Sequence, residues 1–111
     1  MEYTELVDHY FAHMRERNLV GLAKLFAEDA TFTLPDGREL SGVAAIQEMY
    51  TKLFAVMSPS PTPLAVIAGA HGVATEIEAR LPDGTVRRTA NFFHFNTEGL
   101  IQRLSVYARG R

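Results

Sequence analysis

Apolar residues near the start of the chain recur at helical spacing. Leu6, Val7, Tyr10, Phe11 and Met14 share a face, while Glu5, Asp8, Glu16 and Arg17 fall off it, which predicts an amphipathic helix of about four turns. Asn18 has the side chain of an N-cap, and Leu19, Leu22, Leu25 and Phe26 mark a second, shorter helix ending near Glu28 and Asp29. The two form a helical hairpin. Alternation through Ala30-Thr31-Phe32-Thr33-Leu34 predicts a short strand, and Pro35-Asp36-Gly37 has the residues of a tight turn. Ser41 offers the next N-cap, for a third helix with Val43, Ile46, Met49, Tyr50, Leu53 and Phe54 on its apolar face. Pro59, Pro61 and Pro63 end that helix and predict an extended linker, with a role as a lid left open.

The remainder reads as four strands, 64–70, 73–81, 85–95 and 100–108, separated by His71-Gly72, Pro82-Asp83-Gly84 and Asn96-Thr97-Glu98-Gly99. Leu-Pro-Asp-Gly occurs at 34–37 and again at 81–84, but the flanks differ, so it is repeated turn chemistry rather than a duplicated unit. Helices followed by a strand meander predict a single α+β domain over 1–111: three helices packed on one face of a strongly curved antiparallel sheet. A bent sheet closed by helices leaves a pocket on its concave side.

Composition narrows the function classes. A chain of 111 residues builds one core with one modest cavity, and 47% hydrophobic with 22% charged residues is an ordinary globular balance. The net charge of -2 comes without a run of Lys or Arg, which argues against nucleic acid or anionic lipid as partners. The absence of cysteine excludes disulfides, thiolate metal sites and cysteine nucleophiles. No apolar run approaches the roughly 18 residues of a membrane helix, and the acidic start does not resemble a signal peptide, so a cytoplasmic protein is expected.

Strand parity places Thr89, Asn91, Phe93 and Phe95 on one face of the third of these four strands, and Arg88, Ala90, Phe92 and His94 on the other. Asn91, in an otherwise apolar row, needs hydrogen-bond partners. Tyr10 lies on the core face with Leu6 and Met14, and its hydroxyl needs one too. Met14, Leu34, Tyr50, Phe54, Phe93, Leu104 and Val106 are the candidate walls for a ligand. Phe92 and Tyr107 fall on the convex face, where they favour a homodimer packed sheet to sheet. Glu5, His9 and His13 have a spacing that can hold zinc, but one exposed helix face lacks the rest of a coordination sphere and reads as a solvated surface. His71 falls in a turn and His94 on the convex face. No metal site, cofactor motif, Ser-His-Asp arrangement or phosphate loop is indicated.

Three strings carry a family resemblance: Leu25-Phe26-Ala27-Glu28-Asp29-Ala30-Thr31, Ser41-Gly42-Val43-Ala44-Ala45-Ile46-Gln47-Glu48-Met49-Tyr50, and Phe93-His94-Phe95-Asn96 before a glycine turn. Over nearly the whole chain the sequence resembles the ketosteroid isomerase branch, with its SnoaL-like relatives, of the nuclear transport factor two superfamily. The resemblance implies a cofactor-free isomerase, cyclase or lyase acting on a small hydrophobic carbonyl or phenolic compound. It puts the oxyanion-hole tyrosine at Tyr10, the tyrosine that orients it at Tyr50, and the second donor, an aspartic acid in the family, at Asn91. Asparagine donates at every pH, so the hole would no longer depend on a carboxylic acid kept neutral. The family's general base, an aspartate before a proline, falls on Leu34 before Pro35, and leucine carries no proton. Asp36, two residues on, is the substitute the sequence offers if its loop folds inward. Two other outcomes compatible with the same resemblance are a non-catalytic binder of a small ligand and a protein-interaction domain.

Overall fold

The computed structural model describes residues 2–56 and 60–109. The elements in chain order are α1 (Tyr3–Glu16), α2 (Leu19–Leu25), β1 (Phe26–Thr33), β2 (Glu39–Ser41), α3 (Val43–Val56), β3 (Ser60–Ala68), β4 (Gly72–Arg80), β5 (Val86–Phe95) and β6 (Ile101–Ala108). The strands form one open sheet in the order β2-β1-β6-β5-β4-β3.

The helical hairpin forms as the apolar spacing predicts. Val7, Tyr10, Phe11 and Met14 are the buried face of α1. Arg17 takes a left-handed conformation (φ 55°) that ends α1, and Asn18 at once caps α2 by accepting from the Gly21 N–H at 2.9 Å. The helices turn on so few residues that they touch. A Cβ on Gly21 would stand 2.6 Å from the His13 ring, so a larger residue there would push the His13 side chain aside.

Four expectations change. The second helix does not extend to Glu28 and Asp29: it ends at Leu25, and β1 starts at Phe26. The cause is a register irregularity between Phe26 and Thr31, which leaves Glu28 and Asp29 exposed and disguises the strand alternation. Ser41 is the last residue of the short strand β2 rather than a cap. Gly42 (φ 91°) makes the corner, donating to Ala30 C=O at 2.8 Å and accepting from Ile46 N–H at 3.2 Å to start α3.

The expected proline linker is a strand from Ser60 onward, with Pro59 outside the described residues. Pro61 and Pro63 pair with Ala79 and Ile77 on the sheet's edge, and their spacing of two puts both missing N–H groups on one side, facing away from β4. The described part of this segment is therefore wall rather than lid. Finally, the sheet is mixed: every other pairing is antiparallel, but β1 runs parallel to β6, with Phe32 opposite Leu104.

Helix α1 lies against β3 and β4, α3 lies against β1 and β2, and α2 joins the two helices. Phe11, Leu22, Ile46, Phe93, Ile101 and Leu104 are almost fully buried between these layers. Each contributes about 1.5–3 kcal/mol of burial relative to exposure. Towards one end of the concave face the core stops short, and the sheet and helices leave a space.

Candidate functional site

The space is a cavity of about 270 Å³, equivalent to roughly nine waters at liquid density. Its walls come from α1, α3, the end of β1, and the inward rows of β3 to β6. Successive rungs of the sheet explain its graded character. The deepest joins Phe32, Leu104, Phe93 and Val73, all buried. The next joins Val106, Asn91 and Thr75, the next Thr89 and Ile77, and the outermost Arg87, Ala79 and Pro61. Leu34, Pro35 and Leu81 complete the open end.

Two tyrosines meet at the cavity. Tyr10 Oη and Tyr50 Oη are 2.6 Å apart and buried, and either can be the donor. Tyr10 is held edge-on by Phe93 and Phe11, with ring centroids at 5.0 and 5.2 Å. Tyr50 is boxed by Phe32, Phe54 and Phe26. Burial pushes the Tyr10 hydroxyl far above the usual phenol range, only partly offset by its bond to Tyr50. Burial raises Tyr50 as well, with further upward contributions from the charge and hydrogen bond of Tyr10. Both are therefore neutral donors at any ordinary pH. The pair carries two protons and makes one mutual bond, so one proton remains for an acceptor in the cavity.

Asn91 also lines the cavity at 6% exposure, and its Oδ1 is buried without a hydrogen-bond partner. Thr75 Oγ1, directly opposite on β4, is in the same condition, although Thr75 lies off the cavity wall. A buried polar atom without a partner costs about 1–3 kcal/mol. Asn91 Oδ1 can only accept, so the group it lacks is a donor.

Tyr10, Asn91, Met14, Leu34, Tyr50 and Val106 line one cavity. Phe54, Phe93 and Leu104 do not line it. The two phenylalanines pack on the tyrosine rings, and Leu104 is wholly buried on the deepest rung. Asp36 is the main correction. It is exposed in the β1–β2 turn, where its carboxylate accepts from Arg38 N–H at 3.0 Å and Arg38 Nε at 2.7 Å. Those bonds hold it below the usual carboxylate range. It does not line the cavity, and no Asp, Glu or His among the described residues does.

The histidines lie elsewhere. His13 Nδ1 sits 3.4 Å from Asn18 Nδ2 and 3.9 Å from Glu16, and no metal-holding group of His, Asp or Glu is found among the described residues. Wall residues that went unrecognised include Met49 and Leu53, which continue the α3 stripe, and Thr89 and Arg87, which share the Asn91 parity. That parity was the available signal, but Arg87 reads as a surface charge until its rung is seen.

Comparison with known proteins agrees with this fold. The family profile described as SnoaL-like domain matches residues 7–104. No curated protein matches the chain. Among solved structures, the epoxide hydrolase/cyclase-like enzyme SalBIII of pyran ring formation in salinomycin is similar at 24% identity and a TM-score of 0.85, over 96% of this chain and 89% of that one. A steroid delta-isomerase from Pseudomonas aeruginosa is similar at 20% identity and 0.81, over 97% and 80%. An NTF2-like protein of unknown function from Cytophaga hutchinsonii is similar at 18% and 0.83, over 97% and 90%. At these identities the structures share the fold. The profile covers most of the chain, and the chain belongs to the SnoaL-like domain family.

Proposed function

We propose that this protein binds a compact apolar molecule through one oxygen, a carbonyl or a phenol, which Tyr10 and Asn91 anchor while Tyr50 orients Tyr10. The strongest support is the cavity wall itself: an apolar enclosure whose buried polar side chains, among the described residues, are two neutral phenols and one amide, the amide able to donate through Nδ2 and to accept a hydroxyl proton at its unpartnered Oδ1. Donors fixed in a water-poor site stabilise negative charge developing on a bound oxygen without needing to reorganise. The chemistry this favours is isomerisation, ring closure or elimination through an enolate-like state, with no cofactor. A general base would have to come from the substrate, because Leu34 stands where the resembled isomerases carry aspartate and Asp36 is tied to Arg38.

The missing base also supports a second reading, in which the pocket only sequesters its ligand. Leu34→Asp separates the two. Isomerase activity on a beta,gamma-unsaturated ketone, gained by this variant and lost again in Leu34→Asp with Tyr10→Phe, supports the catalytic site. A variant that folds and binds but stays inactive supports sequestration.

Binding itself is tested by fluorescence titration with 2-naphthol. Saturable binding that weakens about tenfold in Tyr10→Phe is expected for a lost hydrogen bond to a buried oxygen. Equal binding by wild type and variant would overturn the anchoring role.

We also propose that two copies pair through the convex face. There Phe92 and Tyr107, 41% and 61% exposed, meet edge to face at 5.6 Å, with Ile67 on the same rung as Phe92 through Ala74. An exposed aromatic pair within an apolar stripe is the surface that a second copy would cover.

A further inference from the structure

One inward-facing group remains without a task. Arg87 lies on the outermost rung, exposed at the open end of the cavity. Several other basic side chains are ion-paired, among them Arg88 with Glu78 at 2.8 Å, Arg38 with Asp36 at 2.7 Å and Lys52 with Glu48 at 3.2 Å. No carboxylate among the described residues lies within 4.0 Å of an Arg87 nitrogen. Asp83 in the adjoining turn accepts from Thr85 N–H at 2.8 Å and is drawn to Arg87 through charge alone. The inward row of β5 therefore runs from a free guanidinium (Arg87), through a half-buried hydroxyl (Thr89), to a buried amide (Asn91) and a buried ring (Phe93).

We propose that the ligand is an amphipathic monoanion, with a compact ring body, an oxygen held at Tyr10 and Asn91, and a carboxylate at its far end held by Arg87. Residues two apart on a strand are roughly 7 Å apart, so the Arg87 and Asn91 backbones are separated by roughly 14 Å. An arginine side chain is long enough to cover part of this span, so a guanidinium on the outer rung can meet the far end of a fused two-ring molecule whose oxygen lies at Asn91. The cavity, at about 270 Å³, admits such a body. A guanidinium suits the outer end because its planar donors match a carboxylate while its stem covers apolar surface. The proposal rests on the oxygen-anchoring reading above and adds a charge to the ligand.

The test compares 6-hydroxy-2-naphthoic acid with 2-naphthol, which lacks the carboxylate, on the whole protein. The acid should bind about tenfold more tightly, the size of one charge-assisted hydrogen bond near the surface. Arg87→Gln should bring the ratio of the two affinities to about one, whatever it does to 2-naphthol itself. Added salt should shrink the gain in wild type but not in the variant. Ala79→Trp, which fills the outer rung, should abolish binding of both, which locates the gain in the cavity. If 2-naphthol binds but the acid gains nothing, or Arg87→Gln leaves the gain intact, the anionic ligand is refuted while oxygen anchoring stands. If neither compound binds, the anchoring reading fails first and the charge inference falls with it.

Discussion

Asn91→Leu should make the protein more stable and its pocket useless. Asn91 is buried at 6% exposure with Oδ1 unpartnered, between the buried Phe93 rung and the half-buried Thr89 rung. Leucine has the same number of heavy atoms in the same branching but is bulkier, and the adjoining cavity takes the added methyl volume, so it removes the uncompensated oxygen without opening a hole. Relief of an unpartnered buried polar atom is worth about 1–3 kcal/mol, and a domain near this size gains roughly 4–8 °C in melting midpoint per kcal/mol. Urea unfolding should show a higher midpoint with the same slope.

The same variant should lose affinity for 2-naphthol by about tenfold or more, because the ligand hydroxyl loses its hydrogen-bond partner at Asn91. Thr75→Val is the companion, since Thr75 is unpartnered too but does not line the cavity. It should stabilise without affecting binding. A loss of more than about 1 kcal/mol in Asn91→Leu would mean that the amide is fully satisfied in the empty protein, since only breaking a made bond costs that much. The polar-ligand account of the cavity would then be wrong. Non-additivity in the double variant would show that the two groups share a partner, such as a bridging water.

Further outcomes follow from other parts of the structure. Because burial raises both Tyr10 and Tyr50 in the folded state, the unfolded chain loses those protons first above about pH 10, and stability should fall with rising pH by up to about 1.4 kcal/mol per unit for each tyrosine. Tyr50→Phe should flatten that alkaline slope by about one proton in urea titrations, and an unchanged slope would contradict the burial of its hydroxyl. Gly72→Ala places a Cβ against the Phe93 carbonyl, a backbone atom that cannot swing away, and should cost at least about 1–3 kcal/mol. A neutral result by thermal melting would mean that the β4–β5 register is different. Phe92→Arg should convert a dimer to a monomer in sedimentation with little change in monomer stability, and an unchanged mass would remove the convex face from the assembly.

Much of the molecule was legible from residue spacing because each helix carries its own apolar stripe, from Val7 to Met14 and from Ile46 to Tyr50. Strand parity likewise placed Asn91 inward. Spacing fails where a partner rather than a neighbour decides. Nothing local in Phe26–Thr33 says that it will run parallel to Ile101–Ala108, and Pro61 and Pro63 look like punctuation until the strand they occupy is known to be an edge. The cavity was half legible for the same reason. Inward-facing Phe93, Leu104 and Thr89 share one parity, but only depth along the rungs separates packing groups from wall groups. Asp36 looked available because its pairing with Arg38 is made by a turn geometry that composition does not reveal.

The position of β6 in the sheet has a consequence for how the chain reaches this state. It alone joins β1 and β2 to the β3–β5 meander, and Phe32 must find Leu104 across most of the chain's length. Closing so long a loop is slow compared with forming a helix or a hairpin, so the two halves of the sheet can form early and remain apart. Until β6 docks, both β1 and β5 present unsatisfied edges to other molecules. The folding rate, and the window in which the chain can aggregate, should therefore depend more on the sequence of Ile101–Ala108 than on that of any helix.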